Sequence, residues 1–221
     1  MHRERIQPIN TLLVPKGSQY ELLLPDGTRV WLNAASSLQF PSQFGAAERR
    51  VVLNGEAYFE VKKDRSKPFF VMINDGSALK VLGTHFNISS YKEDAVVKTS
   101  LLEGAVSISK AGNQVILAPG QQAVTRELGP IRLNPSFNEE EVMAWREGKF
   151  QFTNAGIATV MNQVSRWYDV DITYQGTVSQ KFNGTIVKGT PIEKIFEMLS
   201  LTNEVSFEKN NNHVIVKPAK K

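Results

Sequence analysis

The chain contains no cysteine, which excludes a disulfide framework, thiolate chemistry and any zinc–thiolate site. Histidine is scarce: His2, His85 and His213 lie far apart. None forms the His-Glu-x-x-His or paired-His spacing of a metal centre, so neither metal nor cofactor is expected. No glycine-rich loop leads from a strand pattern into a helix pattern, as phosphate binding would need. The longest wholly apolar run, Phe69-Phe70-Val71-Met72-Ile73, is far shorter than the ~20 residues of a membrane span. The N-terminus has no apolar signal core, and its abrupt start, Met1-His2-Arg3-Glu4-Arg5, fits a fragment whose targeting or anchoring segment lies outside it.

A concentrated basic stripe is missing too. Lys and Arg number 26 against 22 acids, for a net charge of +4, but they are scattered, so nucleic acid is not an expected partner. The densest basic stretch, Lys62-Lys63-Asp64-Arg65-Ser66-Lys67, could face an anionic membrane surface. A solvated loop is the plainer reading.

The composition, 41% hydrophobic and 22% charged over 221 residues, is that of a globular chain long enough for two domains. From Thr11 to about Leu133, short alternating strands are separated by turn signals, the pattern of an all-β unit. Pro25-Asp26-Gly27 between Glu21-Leu22-Leu23-Leu24 and Thr28-Arg29-Val30-Trp31-Leu32 predicts a hairpin. Asn54-Gly55 between Arg50-Val51-Val52-Leu53 and Ala57-Tyr58-Phe59-Glu60-Val61 predicts a second, with a type I′ turn. A sandwich and a solenoid-like stack of hairpins both fit. The all-β domain is placed at 1–135, a linker or short connecting helix at 136–147, and a third region at 148–221.

That last region alternates periods. Phe150 and Phe152 share one strand face. Asn154 is positioned to cap a helix carrying Ile157, Val160, Met161 and Val164. Thr190-Pro191-Ile192-Glu193 reads as a capping box opening a second helix with Ile192, Ile195, Phe196 and Leu199. A 35-residue shift superposes Phe152 on Val187, Ile157 on Ile192, Val164 on Leu199 and Ile172 on Phe207 without a gap. We therefore expect a duplicated βαβ unit with both helices on one sheet, and a last strand, His213-Val214-Ile215-Val216, at its edge.

Catalysis needs converging groups, and the sequence offers few. Glu56, Glu60 and Glu103 could pair across strands as in glycosidases, though carboxylates are common on strand faces. Trp31, Trp145 and Trp167 could stack on a glycan, with core packing the plainer role for Trp31 and Tyr58. At Gly83-Thr84 the Thr hydroxyl could attack a strained preceding carbonyl and nick the chain. The alternative there is a Gly-assisted bend between strands.

Several longer motifs resemble one family. Pro25-Asp26-Gly27-Thr28-Arg29-Val30-Trp31-Leu32-Asn33, Gly55-Glu56-Ala57-Tyr58-Phe59-Glu60-Val61, Val81-Leu82-Gly83-Thr84-His85-Phe86-Asn87 and Pro119-Gly120-Gln121-Gln122-Ala123 are similar to the FecR family of transmembrane anti-sigma regulators, in the form found in Bacteroidetes. Trp145-Arg146-Glu147-Gly148-Lys149-Phe150-Gln151-Phe152 with Arg166-Trp167-Tyr168-Asp169-Val170 resembles the family's C-terminal domain, related to the short secretin and TonB-transducer (STN) signalling domains. The resemblance implies the periplasmic sensor of a single-pass inner-membrane protein. Its partners would be the N-terminal signalling domain of a TonB-dependent outer-membrane transporter and, through a segment absent from this sequence, a cytoplasmic sigma factor controlling iron-chelate or glycan uptake genes. Some relatives cleave themselves at a Gly-Thr bond in a matching strand. The leading expectation is non-enzymatic signal transmission, with partner contacts at Trp167, Tyr168, His213 and Ile215. A glycan-binding module and a self-cleaving domain at Gly83-Thr84 are the rivals.

Overall fold

The structure, a computed structural model, describes residues 7–219. It divides into two compact units, one built from residues up to 15 and 19–139, the other from 16–18 and 140 onwards.

The N-terminal unit is built of strands, with one short 3₁₀ turn at Lys92–Asp94. Its elements are β1 (Ile9–Leu13), β2 (Tyr20–Leu23), β3 (Arg29–Leu32), β4 (Ser37–Pro41), β5 (Arg49–Glu60), β6 (Phe69–Ile73), β7 (Ala78–Val81), β8 (His85–Ser90), β9 (Val97–Glu103), β10 (Val106–Lys110), β11 (Asn113–Leu117), β12 (Gln122–Thr125) and β13 (Arg132–Asn134). Two sheets share β5: sheet I in the order β1-β4-β5-β6-β7-β10-β11, and sheet II in the order β2-β3-β5-β8-β9-β12-β13. After β5 the chain lays hairpins on alternate sheets: β6–β7 on I, β8–β9 on II, β10–β11 on I, β12–β13 on II. The domain is thus a sandwich built by stacking hairpins, and the two architectures left open by the sequence are aspects of one structure.

Period-2 alternation explains why the sheets face each other. Val51, Leu53, Phe69 and Val71 from sheet I join Val30, Phe59, Phe86 and Leu101 from sheet II in one buried cluster, while the intervening residues point away. Phe59 stacks on Phe86 at 5.1 Å and meets Phe69 edge-on at 6.2 Å, inside the range where aromatic pairs add to simple burial.

The predicted hairpin at Pro25-Asp26-Gly27 forms, with Gly27 at φ 87° and Thr28 N donating to Asp26 Oδ1 at 3.0 Å. The one predicted at Asn54-Gly55 does not. Those residues lie inside the single twelve-residue strand β5, whose first half pairs with β4 and β6 and whose second half pairs with β3 and β8. Gly55, at φ 90°, gives the bend by which β5 passes from one sheet to the other. Any Cβ there would sit 2.5 Å from Ser36 Oγ and 2.8 Å from Ser36 Cα, so glycine answers to close approach as well as to φ.

The C-terminal unit comprises α1 (Glu139–Met143), the 3₁₀ turn Ala144–Glu147, β14 (Lys149–Gly156), α2 (Ile157–Tyr168), β15 (Asp171–Tyr174), β16 (Lys181–Val187), α3 (Ile192–Ser200), β17 (Val205–Asn210) and β18 (His213–Pro218). The apolar stripes read from the sequence form its core: Ile157, Val160, Met161 and Val164 of α2 and Ile192, Ile195, Phe196 and Leu199 of α3 are buried with Phe150, Phe152, Val205, Val214 and Val216.

Three expectations need correction. The helices do not share one sheet: β14 pairs with β16, while β15 and β17 flank β18 in a separate three-stranded sheet. Each helix therefore links a strand of one sheet to a strand of the other. The 35-residue register holds for the helices and the strands after them but fails for the strands before. Phe152 is buried whereas Val187 is 61% exposed, because β14 runs straight into α2 while β16 needs residues 188–191 to reach α3. Last, β18 is the centre of its sheet and not an edge, since both of its sides are paired.

The predicted helix caps shift as well. α2 starts after Gly156, and Asn154 sits at φ 51° beside the bulge between Phe152 and Ala155. α3 starts after Pro191 with no side-chain cap. The Glu193 carboxylate, expected to close a capping box, instead pairs with Lys209 at 3.0 Å.

Candidate functional site

α2 ends in two aromatic residues, both half-buried. Asp169, at φ 52°, closes the helix in left-handed conformation, which leaves Trp167 and Tyr168 facing the turn between β16 and α3. Trp167 Nε1 donates to the Lys188 carbonyl at 2.8 Å; Tyr168 Oη donates to the same oxygen at 3.1 Å and also to the Thr190 carbonyl. The Lys188 ammonium lies 4.4 Å from the Trp167 ring centroid and 5.5 Å from that of Phe150, a cation–π arrangement inside a largely desolvated site. Burial pushes the Tyr168 phenol above its ordinary pKa, so it stays a donor. The two aromatics expected to contact a partner thus spend their polar atoms on fixing residues 188–190.

His213 is exposed and Ile215 half-buried. His213 Nε2 lies 2.9 Å from Thr173 Oγ1 across the β15–β18 pair. With β18 central, these residues offer no free backbone, and edge pairing through them is ruled out by topology. Among the described residues of the C-terminal unit the unpaired edges lie elsewhere: β14 and β16 pair only with each other, and β15 and β17 pair only with β18. Of these, β16 is exposed at five of its seven positions. Its Gly184, at φ 151°, has nothing within 4 Å of where a Cβ would stand. Glycine inside a strand is the usual mark of a bulge or of another backbone passing close.

Gly83-Thr84 forms the bend between β7 of sheet I and β8 of sheet II. Gly83 sits at φ 150°, and a Cβ would lie 2.6 Å from Lys63 Cα. Asp64 N donates to the Leu82 carbonyl at 2.8 Å and Val61 N to the Thr84 carbonyl at 3.0 Å. Thr84 is buried, and its hydroxyl donates to the Ala105 carbonyl at 3.1 Å. Gly104 packs so closely that a Cβ would be 2.9 Å from both Thr84 Oγ1 and the Gly83 carbonyl oxygen.

The three carboxylates weighed for acid–base chemistry each have a separate partner. Glu56 accepts from Asn33 Nδ2 at 2.8 Å and Asn87 Nδ2 at 3.1 Å; Glu60 lies 3.9 Å from Arg29; Glu103 meets His85 Nδ1 at 3.0 Å. Trp31 is half-buried, tilted against the buried Tyr58 at 5.5 Å and covered by the Arg29 guanidinium at 4.9 Å, and Trp145 is buried. Among the described residues no His, Asp and Glu group could hold a metal. His2 lies outside the described residues.

Two polar clusters escaped the sequence reading. Asp26, read only as a turn residue, accepts from Thr28 and from Arg49 Nη1 at 2.8 Å, and the buried Arg49 also donates to the Lys62 and Lys67 carbonyls. Asp75, in the β6–β7 turn, accepts from Lys110 Nζ at 2.6 Å and Thr125 Oγ1 at 2.6 Å. Burial works against its charge, but the hydrogen bonds from Lys110, Thr125 and Ser77 outweigh it and hold the carboxyl below its ordinary range. Asp75 borders a cleft of about 300 Å³ between Asn74, Tyr91, Val97 and Arg126. Hydrophobic periodicity carries no signal for either pair, because each joins residues more than twenty positions apart.

Two family models match the chain: FecR protein over residues 10–107 and FecR, C-terminal over residues 149–216. Two crystal structures, both of a protein assigned as an anti-sigma factor from Parabacteroides distasonis ATCC 8503, superpose on it with a TM-score of 0.87. They are 25% and 26% identical to it, covering 96% of this chain and 100% of theirs. No curated protein matches.

Proposed function

The chain belongs to the FecR family of anti-sigma regulators, and from that premise we propose that it is the signal-receiving periplasmic region of one. It takes a signal from the N-terminal signalling domain of a TonB-dependent outer-membrane transporter. It relays that signal, through a membrane-anchored remainder, to a cytoplasmic sigma factor that controls uptake of a nutrient such as an iron chelate or a glycan. The observation that carries this reading is the tandem order of the two FecR domains, over residues 10–107 and 149–216. Among the described residues no helix is long and apolar enough to cross a membrane.

The geometry favours strand addition as the docking mode. A two-stranded sheet leaves an unpaired edge on each strand, and such edges offer backbone donors and acceptors that a partner strand satisfies. We assign the docking edge to β16 because of its exposed positions, its open Gly184 and the 61% exposed Val187. Hydrogen exchange with and without the transporter domain tests this. Slowed exchange at residues 181–187 is expected; protection confined to β17 or to the sandwich would sink the assignment.

A further inference from the structure

The two sheets of the sandwich differ in charge. Glu21, Glu56, Glu60 and Glu103 lie on strand positions paired within sheet II, whereas the residues paired within sheet I, including the first half of β5 (49–54), contain no Asp or Glu. The outward face of sheet I instead aligns Arg50, Phe70 and Lys80 in adjacent register on β5, β6 and β7. The Arg50 guanidinium lies 5.2 Å and the Lys80 ammonium 6.0 Å from the Phe70 ring centroid.

Large apolar side chains share that face with the cations. Ile9 and Leu13 on the edge strand β1 are 63% and 72% exposed, and Ile116 on the opposite edge strand β11 is 67% exposed. The basic stretch at 62–67 belongs to the same end of the sheet. Arg49, next to Arg50, donates to the Lys62 carbonyl at 2.8 Å and the Lys67 carbonyl at 2.9 Å, fixing the loop there. Lys62, Lys63 and Arg65 are exposed. The loop's single acid, Asp64, turns back on its own backbone, accepting from Ser66 N at 2.9 Å and Lys67 N at 3.2 Å. Glu48 offsets part of Arg50 at 2.8 Å.

We propose that this face of sheet I and the adjoining 62–67 loop form a peripheral binding surface for an anionic phospholipid bilayer. A merely solvated surface interleaves charges of both signs and exposes its large apolar groups singly. A face whose strands carry no acid, and on which cations sit beside exposed Ile and Leu and the half-buried Phe70, matches what a lipid interface selects: attraction to headgroup phosphate, with apolar groups available to enter the acyl boundary. Phe70, beneath two cations, is placed to enter as they engage phosphate.

Co-sedimentation of the whole chain with vesicles tests the surface. The expected result is binding to mixed phosphatidylglycerol and phosphatidylcholine vesicles, none to phosphatidylcholine alone, and loss at high salt. The set Arg50→Ser, Lys63→Ser, Arg65→Ser and Lys80→Ser is expected to weaken binding by about a hundredfold or more, with an unchanged thermal melt. Phe70→Ser alone should weaken it without altering charge. Removal of equally many cations elsewhere, Lys98, Arg132, Lys194 and Lys217, should leave binding nearly unchanged. No vesicle binding, equal loss in both sets, or capture by an acidic polysaccharide in preference to vesicles would overturn the proposal.

Discussion

Trp167 gives its indole N–H to the carbonyl oxygen of Lys188 at 2.8 Å, and Lys188 sets its ammonium 4.4 Å from the centroid of that same indole. This reciprocal contact, with Tyr168 bonding to the same carbonyl, ties the end of α2 to the turn before α3. Trp167→Phe keeps one aromatic ring and removes the donor, so a loss of ~1 kcal/mol or somewhat more is expected. Trp167→Ala removes the packing too and should cost ~3 kcal/mol or more. Urea unfolding measures both; a Trp167→Phe variant as stable as the parent would mean that the hydrogen bond contributes nothing.

The bend in β5 gives a sharper contrast. Gly55→Ala forces a Cβ to within 2.5 Å of Ser36 Oγ at φ 90°. Gly112→Ala meets a similar φ of 81° with nothing within 4 Å. The second substitution should cost ~1–2 kcal/mol of backbone strain, and the first clearly more. Comparable melting temperatures for the two variants would show that β5 has room at the crossing.

Asp75 and Lys110 make the acid limb of stability predictable. The folded-state pKa of Asp75 lies below its unfolded value. Its contribution is therefore complete above the unfolded value near ~3.9 and fades as pH falls through the folded one. Asp75→Asn should flatten that part of the pH–stability curve and, at neutral pH, cost ~3–5 kcal/mol, because Lys110 stays buried without its counter-charge. The double variant Asp75→Asn with Lys110→Met should recover most of the loss. A single Asp75→Asn variant as stable as the parent would contradict the buried pair.

At Gly83-Thr84 the hydroxyl hydrogen is committed to the Ala105 carbonyl, an acceptor too weak to take the proton that attack on the Gly83 carbonyl would release. The purified chain is expected to keep its whole mass of 24.7 kDa. Two fragments divided between Gly83 and Thr84 would contradict this and restore the self-cleaving reading. Gly83→Ala should destabilise the fold whether or not cleavage occurs, since its Cβ would meet the Lys63 backbone at 2.6 Å.

The sequence revealed what depends on local periodicity and missed what depends on pairing partners. The stripes Ile157, Val160, Met161, Val164 and Ile192, Ile195, Phe196, Leu199 form the core of the C-terminal unit because helical spacing alone decides which face is apolar. Asn54-Gly55 misled, because the same dipeptide serves a hairpin turn and a strand that changes sheets; only the identity of the neighbouring strands separates them. The sequence puts His213 and Ile215 at an edge because chain order says nothing about where a last strand inserts, here between β15 and β17. Trp167 and Tyr168 were visible as special residues, but their bonds to residues 188 and 190 were not. Such contacts depend on how residues 188–191 turn, and no spacing rule fixes that.

The most direct test is calorimetric titration of this chain with the isolated N-terminal signalling domain of the outer-membrane transporter proposed as its partner. The account predicts saturable one-to-one binding tighter than ~100 μM, about 5.5 kcal/mol, and weakened by substitutions along β16. No heat of binding at that concentration, with both proteins folded, would contradict it.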